Sequence, residues 1–270
     1  MATSSFLVAV ETSDRVATIT LNRPEHLNSL TPQLVDDLTT AIRDAGCDDA
    51  IGVVVITGMG RAFCSGVDMA GLGGGREPTS FTSPHADDMR RGFAAAQDVI
   101  LTLQRMEKPT IAMVNGVAAG AGMDLACACD MRVGSADARF LAAYIRIGLF
   151  PAWGGTWLYP RIVGLAKAAE IIFTGDTVDA EEAYRIGLLN KLVPVAELRA
   201  RTMELAAKMA GGPPIALRLA KLNLYKGLEI DLETAMKFAA ASETITLSSE
   251  DHREGAQAFR EKRRPKFSGR

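Results

Sequence analysis

Two uninterrupted apolar runs, residues 52–57 (GVVVIT) and 110–115 (TIAMVN), constrain the fold of this chain more than any other feature. A short continuous run of this kind is typical of a strand whose two faces are both covered. A glycine-bearing turn follows each run, and the segment between the runs has a helical apolar pattern. Strands that alternate with helices in this way predict βαβ units, so we expect an α/β fold.

Further patterns predict a core followed by a helical region. Segments 6–10 and 16–21 are strand-like runs that flank a polar turn, which predicts a β-hairpin. A glycine-rich stretch at residues 71–78 predicts a loop. The last part of the chain contains four amphipathic segments, at 194–211, 213–227, 231–248 and 250–263. We therefore expect a core over residues 1–195 and a helical region over residues 196–270.

N-cap patterns predict where two helices begin. Thr31 precedes a first-turn proline, Pro32, and Asp179 lies three residues before Glu182. Side chains of these types accept hydrogen bonds from N–H groups of the first helical turn. We expect a helix to begin at each position.

The composition excludes several classes of protein. Thirty basic and 32 acidic side chains give a net charge of −2, which argues against a nucleic-acid binder with a general basic field. No apolar run reaches the length of about 18 residues that a membrane span needs. The three histidines and four cysteines form neither an HExxH nor a CxxC pattern. We therefore expect no metal centre and no disulfide framework, and reduced thiols favour a cytoplasmic protein.

Both glycine turns, residues 61–68 and 115–124, are candidates for holding a negatively charged atom. Backbone N–H groups at a helix N-terminus have no partner within the helix. Two such turns brought together present two N–H donors to one oxygen, which is an oxyanion hole. Alternatively, the glycines only allow a strand to meet a helix. Neither turn matches GxGxxG, and the chain has no GxxxxGK[ST] loop, so nucleotide-cofactor or kinase chemistry is not expected.

Motifs along nearly the whole chain resemble those of one family. They are Leu21-Asn-Arg-Pro, Leu27-Asn-Ser-Leu, Ala62-Phe-Cys-Ser-Gly-Val-Asp68, Asn115-Gly-Val-Ala-Ala-Gly-Ala-Gly, Ile147-Gly-Leu-Phe-Pro151, Gly154-Gly-Thr156, Phe173-Thr-Gly175, Ala183-Tyr-Arg-Ile-Gly-Leu188 and Glu254-Gly-x-x-Ala-Phe259-x-Glu-Lys262. With them the chain resembles the crotonase superfamily, the enoyl-CoA hydratase/isomerase group. The resemblance implies an α/β crotonase-like spiral of ββα units with a helical C-terminal region, assembled as a homo-trimer or a dimer of trimers.

The resemblance also implies an acyl-CoA substrate. Its thioester oxygen is expected to accept hydrogen bonds from the backbone N–H groups of Val67 and Ala121, although the family usually has glycine in place of Ala121. Coenzyme A is part of this substrate, and the resemblance implies no permanently bound cofactor. The residues expected to contact coenzyme A are Asn28, Ser65, Asp68, Met69, Phe259 and Lys262. Lys262 is expected to come from the same or a neighbouring subunit.

The acid/base residues depart from the family pattern. Hydratases of the family use two glutamates on one water, and the matching positions here hold Asp124 and Tyr144. Aspartate is one methylene shorter than glutamate. A phenol, with a reference pKa of about 10, is a poor base but donates a hydrogen bond. Some isomerases of the family have a carboxylate at the position of Ala152, so Asp124 is the only matched carboxylate.

Three interpretations stay open at this point. In the first, the chain transfers one proton of a CoA thioester, as a double-bond isomerase or in related enolate chemistry, with Asp124 as acid/base and Tyr144 as orienting donor. In the second, it is a hydratase of modified geometry that uses these two residues or a loop residue, His85, Asp87 or Asp88. In the third, it binds acyl-CoA without turnover. Thioester hydrolysis or decarboxylation on the same scaffold is a further alternative.

Overall fold

The structure is a computed structural model that describes residues 3–4, 7–69, 83 and 85–270. The strands are β1 (Thr3–Ser4), β2 (Val8–Ser13), β3 (Val16–Leu21), β4 (Val53–Gly58), β5 (Ala62–Cys64), β6 (Thr110–Val114), β7 (Val117–Ala119), β8 (Met131–Ser135), β9 (Arg139–Leu141), β10 (Val178–Asp179) and β11 (Lys191–Val193). The helices are α1 (Pro32–Cys47), α2 (Ala86–Arg105), α3 (Ala121–Ala128), α4 (Gly155–Val163), α5 (Leu165–Thr174), α6 (Ala180–Arg185), α7 (Leu198–Ala210), α8 (Pro214–Gly227), α9 (Leu232–Ser248) and α10 (Glu250–Glu261). The predicted loop at residues 71–78 lies outside the described residues.

Two sheets form the centre of the fold. The larger has the order β1-β2-β3-β4-β6-β8-β11, and the smaller has the order β10-β9-β7-β5. Strands β2 and β3 pair antiparallel, which confirms the predicted hairpin. From β3 onward the neighbours in the larger sheet are parallel. The predicted α/β fold is therefore confirmed.

Successive strand pairs alternate between the two sheets. Strands β4, β6 and β8 lie in the larger sheet, and the strands that follow each of them, β5, β7 and β9, lie in the smaller one. Helices α2 and α3 follow the first two pairs, and a 3-10 helix, Ala143–Ile147, follows the third. Because β5 and β7 are parallel neighbours, this repetition of ββα units brings the turns after them to the same sheet edge.

The larger sheet is covered on both faces. Alternate residues of a strand point to opposite faces, so Val54 and Ile56 of β4 share one core with residues of α1, while Val53 and Val55 share a second core with residues of α7. All six residues of β4 are buried, which confirms the prediction from residues 52–57. Helix α7, expected in the helical region, therefore packs against the sheet as part of the core.

Capping hydrogen bonds confirm the two predicted helix starts. The hydroxyl of Thr31 accepts a hydrogen bond from the N–H of Leu34 at 3.2 Å. The carboxylate of Asp179 accepts one from the N–H of Glu182 at 2.9 Å. Each bond satisfies a first-turn N–H that has no partner within its helix, and so fixes where α1 and α6 begin.

Helices α8 and α9 leave all of their apolar side chains exposed or only partly buried. In α8 only Lys221 is buried, and α9 has no buried residue. The apolar side chains that are 49–76% exposed along these helices are Leu222, Leu224, Leu228, Leu232, Met236, Phe238, Ile245 and Leu247. The predicted helices are present, but periodicity shows only that an apolar face exists and not that the same chain covers it.

Helix α8 is anchored to the larger sheet through Asp130. The Lys221 ammonium donates to Asp130 Oδ2 at 2.8 Å, and the Tyr225 hydroxyl donates to Oδ1 at 2.7 Å. The N–H and the hydroxyl of Thr110 also donate to Oδ2, at 2.7 and 2.9 Å. Four donors therefore stabilise one largely buried carboxylate and join α8 to the first residue of β6.

We expect Lys221→Met to lower the free energy of unfolding by about 2 kcal/mol, because it removes the cation from a carboxylate that stays buried. The bonds from Tyr225 and Thr110 remain and limit the loss. Lys237→Met is the control, since Lys237 is 73% exposed and pairs only one helical turn away with Glu233, so stability should hardly change. Urea unfolding followed by circular dichroism measures both variants, and equal losses would contradict the anchor.

Candidate active site

The two glycine turns are in direct contact. A Cβ added to Gly122 would lie 2.1 Å from the carbonyl oxygen of Cys64, and a Cβ added to Gly66 would lie 3.6 Å from the backbone nitrogen of Ala121. Glycine has no side chain, so the two backbones can approach this closely. The structure therefore brings the segment of Gly66 and Val67 next to the first residue of α3.

A short β-bridge orients the backbone of Val67. The N–H of Leu30 donates to the Gly66 oxygen at 2.8 Å, and the N–H of Asp68 donates to the Leu30 oxygen at 2.9 Å. Successive N–H groups of an extended segment point to opposite sides, so the N–H of Val67 points away from Leu30. It has no acceptor among the residues that the structure describes.

The second predicted donor, the N–H of Ala121, belongs to the first turn of α3. Gly120 precedes it with φ 51° and ψ −123°, a conformation that side chains disfavour. The Gly120 oxygen accepts from the N–H groups of Met123 and Asp124, at 2.9 and 3.1 Å, whereas the N–H of Ala121 has no acceptor in the described part of the chain. The methyl group of Ala121 is buried in the main core.

Asp124 is a completely buried carboxylic acid on α3 that accepts hydrogen bonds from two phenols. The hydroxyl of Tyr144 donates to Asp124 Oδ2 at 2.6 Å, and the hydroxyl of Tyr159 donates to Oδ1. Burial raises the pKa of Asp124 from 3.8 to about 6, and the two phenol hydrogen bonds oppose this rise. Such a carboxyl group can both take up and release a proton near neutral pH.

Tyr144 is less buried than the carboxyl group to which it donates. It belongs to the 3-10 helix Ala143–Ile147 and is only partly buried, whereas Asp124 has no exposed surface. A Cβ on Gly120 would lie 3.6 Å from Tyr144 Cζ, so the phenol also adjoins the turn that carries Ala121. Burial and the neighbouring carboxylate raise the pKa of Tyr144 well above 10, so its hydroxyl keeps its proton and donates.

Tyr159 is a site residue that the sequence analysis missed. It is completely buried on α4, and a Cβ on Gly155 of the same helix would lie 2.6 Å from Asp124 Oδ1 and 2.9 Å from Tyr159 Cζ. Gly155 therefore allows α4 to approach Asp124. The available signal was a glycine at the start of the helix, with a tyrosine four residues later on the same helix face.

The predicted coenzyme A contacts include Asn28, whose side chain has a structural role. Its oxygen accepts from the N–H of Arg23 at 2.9 Å, and its amide donates to the backbone oxygens of Met59 and Ala62 at 3.0 and 2.8 Å. The residue is completely buried, in a left-handed conformation with φ 56°. Whether coenzyme A contacts Asn28 stays a prediction.

Three other predicted contacts, Ser65, Asp68 and Met69, are partly buried beside the first glycine turn. Asp68 forms an ion pair with Arg23, at 3.1 Å between Oδ2 and NH2. The same guanidinium donates to the oxygen of Ser29 at 2.7 Å. This ion pair ties the backbone around Val67 to the segment before α1.

The remaining predicted contacts, Phe259 and Lys262, lie at the end of α10. Phe259 is 87% exposed, and Lys262 has a left-handed backbone conformation with φ 53°. Nearby, Arg263 pairs with Glu254 and Glu261, at 2.6 Å each. Whether Phe259 and Lys262 contact coenzyme A stays a prediction.

The alternative acid/base residues face solvent. His85 is exposed at the start of α2, and Asp87 pairs with Arg90 and Arg91 at 2.9 and 2.6 Å. Asp88 accepts a hydrogen bond from Ser83 at 3.1 Å. Within the described residues, no group of three histidine, cysteine, aspartate or glutamate side chains could hold a metal ion.

Comparisons with known proteins agree over nearly the full length. The profile of the family described as Enoyl-CoA hydratase/isomerase matches residues 11–270. The crotonyl-CoA hydratase of Syntrophomonas wolfei is 33% identical over 261 residues, which is 96% of this chain and 97% of that protein. The 1,2-epoxyphenylacetyl-CoA isomerase of Escherichia coli is 34% identical over 255 residues, 94% and 95% of the two chains. The crystal structure of enoyl-CoA hydratase from Bacillus anthracis superposes with a TM-score of 0.91 at 31% identity, covering 98% of this chain and 100% of that one.

Proposed function

The chain belongs to the enoyl-CoA hydratase/isomerase family, and we propose that it moves the double bond of an enoyl-CoA thioester by transferring a proton through Asp124 and Tyr144. The family's crotonase-like spiral fold and its hydratase/isomerase type of activity are the premises. The observation that carries the proposal is the buried Asp124 carboxyl group, hydrogen-bonded to the phenol of the partly buried residue Tyr144. This arrangement provides one acid/base group instead of two carboxylates acting on one water.

The proton passes through the phenol because the carboxyl group is enclosed. The Tyr144 oxygen takes a proton from the carbon next to the thioester while its own proton moves to Asp124 Oδ2. The reverse transfer then delivers a proton to the far carbon of the allylic system. No atom is gained or lost overall, and only the position of the double bond changes. Because the pKa of Asp124 is about 6, either direction is accessible near neutral pH.

Between the two transfers the substrate is an enolate, whose oxygen needs hydrogen-bond donors. We propose the N–H groups of Val67 and Ala121 for this role. Support comes from the contact between the two turns and from the lack of an acceptor for either N–H in the described residues. Donors that are fixed before the charge develops lower the barrier without the cost of reorganising.

Hydration is the second candidate, and the names of the relatives favour it. The proteins of Syntrophomonas wolfei and Clostridium acetobutylicum, at 33% and 34% identity, are named hydratases. In a hydratase, Asp124 would accept the proton of an attacking water and return it to the substrate carbon. The enclosure of Asp124 behind Tyr144 favours isomerisation over this scheme.

Incubation with 3-enoyl-CoA and 2-enoyl-CoA thioesters in heavy-oxygen water, followed by mass spectrometry, tests the proposal. Short, long and aromatic acyl chains sample the substrate class. We expect the 3-enoyl thioester to become the 2-enoyl thioester with unchanged oxygen content, because a proton transfer adds no water. Gain of one labelled oxygen at the carbon chain would establish hydration instead. Binding of the thioesters with no reaction would favour a non-catalytic acyl-CoA-binding protein, and release of free coenzyme A would indicate a hydrolase.

The exposed apolar faces of α8 and α9 support assembly as a homo-trimer or a dimer of trimers, which we also propose. A contiguous apolar surface of this kind is typical of a subunit interface.

Coenzyme A enters this proposal as part of the substrate, without a permanently bound cofactor or metal. Within the described residues, no helix combines the length and the apolarity that crossing a bilayer requires. We propose a cytoplasmic location because the four cysteines form no disulfide bond, and three of them are buried.

A further inference from the structure

The hydroxyl of Tyr159 donates a hydrogen bond to the carboxyl group of Asp124. The two residues lie 35 positions apart, on α4 and α3, and both are completely buried. Tyr159 donates to Oδ1, whereas the partly buried Tyr144 donates to Oδ2. The two oxygens of Asp124 therefore have different neighbours.

We propose that Tyr159 is a positioning residue, whose hydroxyl fixes Oδ1 of Asp124 and thereby directs Oδ2 to Tyr144. This inference rests on the proposed function, in which Tyr144 and Asp124 exchange a proton. Tyr159 is too deeply buried to contact the substrate, so it acts only through the carboxyl group.

The geometry explains why a hydrogen bond is needed at Oδ1. The terminal torsion of an aspartate side chain has broad, roughly two-fold minima, so packing alone does not define which oxygen faces which neighbour. Without Tyr159, the buried Oδ1 has lost its donor, and the carboxyl group can turn away from Tyr144 to find another. The close approach of α4 at Gly155, 2.6 Å from a Cβ position to Oδ1, is the packing that brings Tyr159 into place.

The charged and titratable groups around the pair come from several elements. Tyr144 and Tyr159 face Asp124 directly, and Cys127 lies on its own helix. Cys64 of β5 acts on Tyr144, and Arg132 of β8 acts on Cys127. Burial raises the pKa values of both thiols to about 12, so they stay neutral. The hydrogen bond from Tyr159 favours the ionised carboxylate and lowers the pKa of Asp124.

Tyr159→Phe keeps the ring and removes only the hydroxyl. We expect the pKa of Asp124 to rise by about one pH unit, since one hydrogen bond to the carboxylate is lost. Infrared difference spectroscopy of the carboxyl C=O stretch follows this titration, and its absence in Asp124→Asn assigns the band. The rising limb of kcat against pH should move upward by the same amount, with KM nearly unchanged.

Tyr225→Phe is the matched control, because it also removes a phenol that donates to a carboxylate, Asp130, on another part of the fold. It should leave the titration of Asp124 and the pH profile unchanged. If Tyr159→Phe moves neither quantity in an active enzyme, or if both variants move them equally, the positioning role is overturned. Failure of the proposed function is a separate result, because it is seen as lack of isomerisation by the wild type.

Discussion

Asp124→Asn is expected to lower kcat for the acyl-CoA substrate about 100-fold or more, with almost unchanged binding of coenzyme A thioesters. An amide cannot accept the proton that Tyr144 passes on, and loss of a general acid/base group typically has an effect of this size. Binding should persist because Asp124 is completely buried and does not face the thioester. Steady-state kinetics gives kcat, and calorimetry with a saturated acyl-CoA gives the affinity.

The same variant should be more stable than the wild type above about pH 6. The pKa of Asp124 is raised from 3.8 to about 6 in the folded protein, so the folded state binds this proton more tightly than the unfolded state does. The unfolding free energy of the wild type therefore falls as the pH rises through this window. The loss corresponds to about 3 kcal/mol, and the asparagine variant lacks it.

The direction of this change in stability distinguishes a loss of chemistry from a loss of fold. A variant that is less active but at least as stable at neutral pH has lost a proton acceptor and not its structure. Asp176→Asn makes the same replacement at a side chain that is 79% exposed, and it should not alter turnover. Unchanged turnover of Asp124→Asn would remove Asp124 from the mechanism and contradict the proposed function.

The sequence predicted those features that depend on local patterns. The apolar runs at 52–57 and 110–115 became fully buried strands because continuous apolar runs need cover on both faces. The glycines at 66 and 122 marked close backbone contact, because a Cβ there would lie 2.8 and 2.1 Å from backbone oxygens, and Gly120 has a positive φ of 51°. Asp124 and Tyr144 came from the resemblance, and the structure places their side chains 2.6 Å apart.

The missed features depend on partners that are distant in sequence or absent from the chain. Tyr159 looked like an ordinary helix residue, since its bond to Asp124 depends on how closely α4 packs on α3. The sequence also did not show that the amide of Asn28 donates to the backbone oxygens of Met59 and Ala62. The apolar face of α9 was visible as periodicity, but periodicity does not identify the surface that covers it.

Gly122→Ala is expected to lower kcat/KM about 100-fold, by moving the proposed N–H donor of Ala121. The new Cβ would lie 2.1 Å from the Cys64 oxygen and 2.8 Å from the Cys64 carbonyl carbon, and these are backbone atoms that cannot rotate away. Helix α3 and strand β5 must therefore separate by about 1 Å. A displacement of this size in a catalytic group typically costs about 100-fold in rate, close to the loss of one oxyanion donor.

Gly227→Ala provides the control, because its Cβ would meet no atom within 4 Å at the end of α8. It should retain full activity. Circular dichroism and affinity for a saturated acyl-CoA distinguish a displaced donor from an unfolded chain: a folded Gly122→Ala protein that still binds but reacts slowly supports the oxyanion hole. If this folded variant instead keeps wild-type kcat/KM, the contact between the two turns does not determine the reaction, and the donors that stabilise the enolate must lie elsewhere. The two variants thus test whether the close backbone approach, rather than glycine as such, is what the chemistry needs.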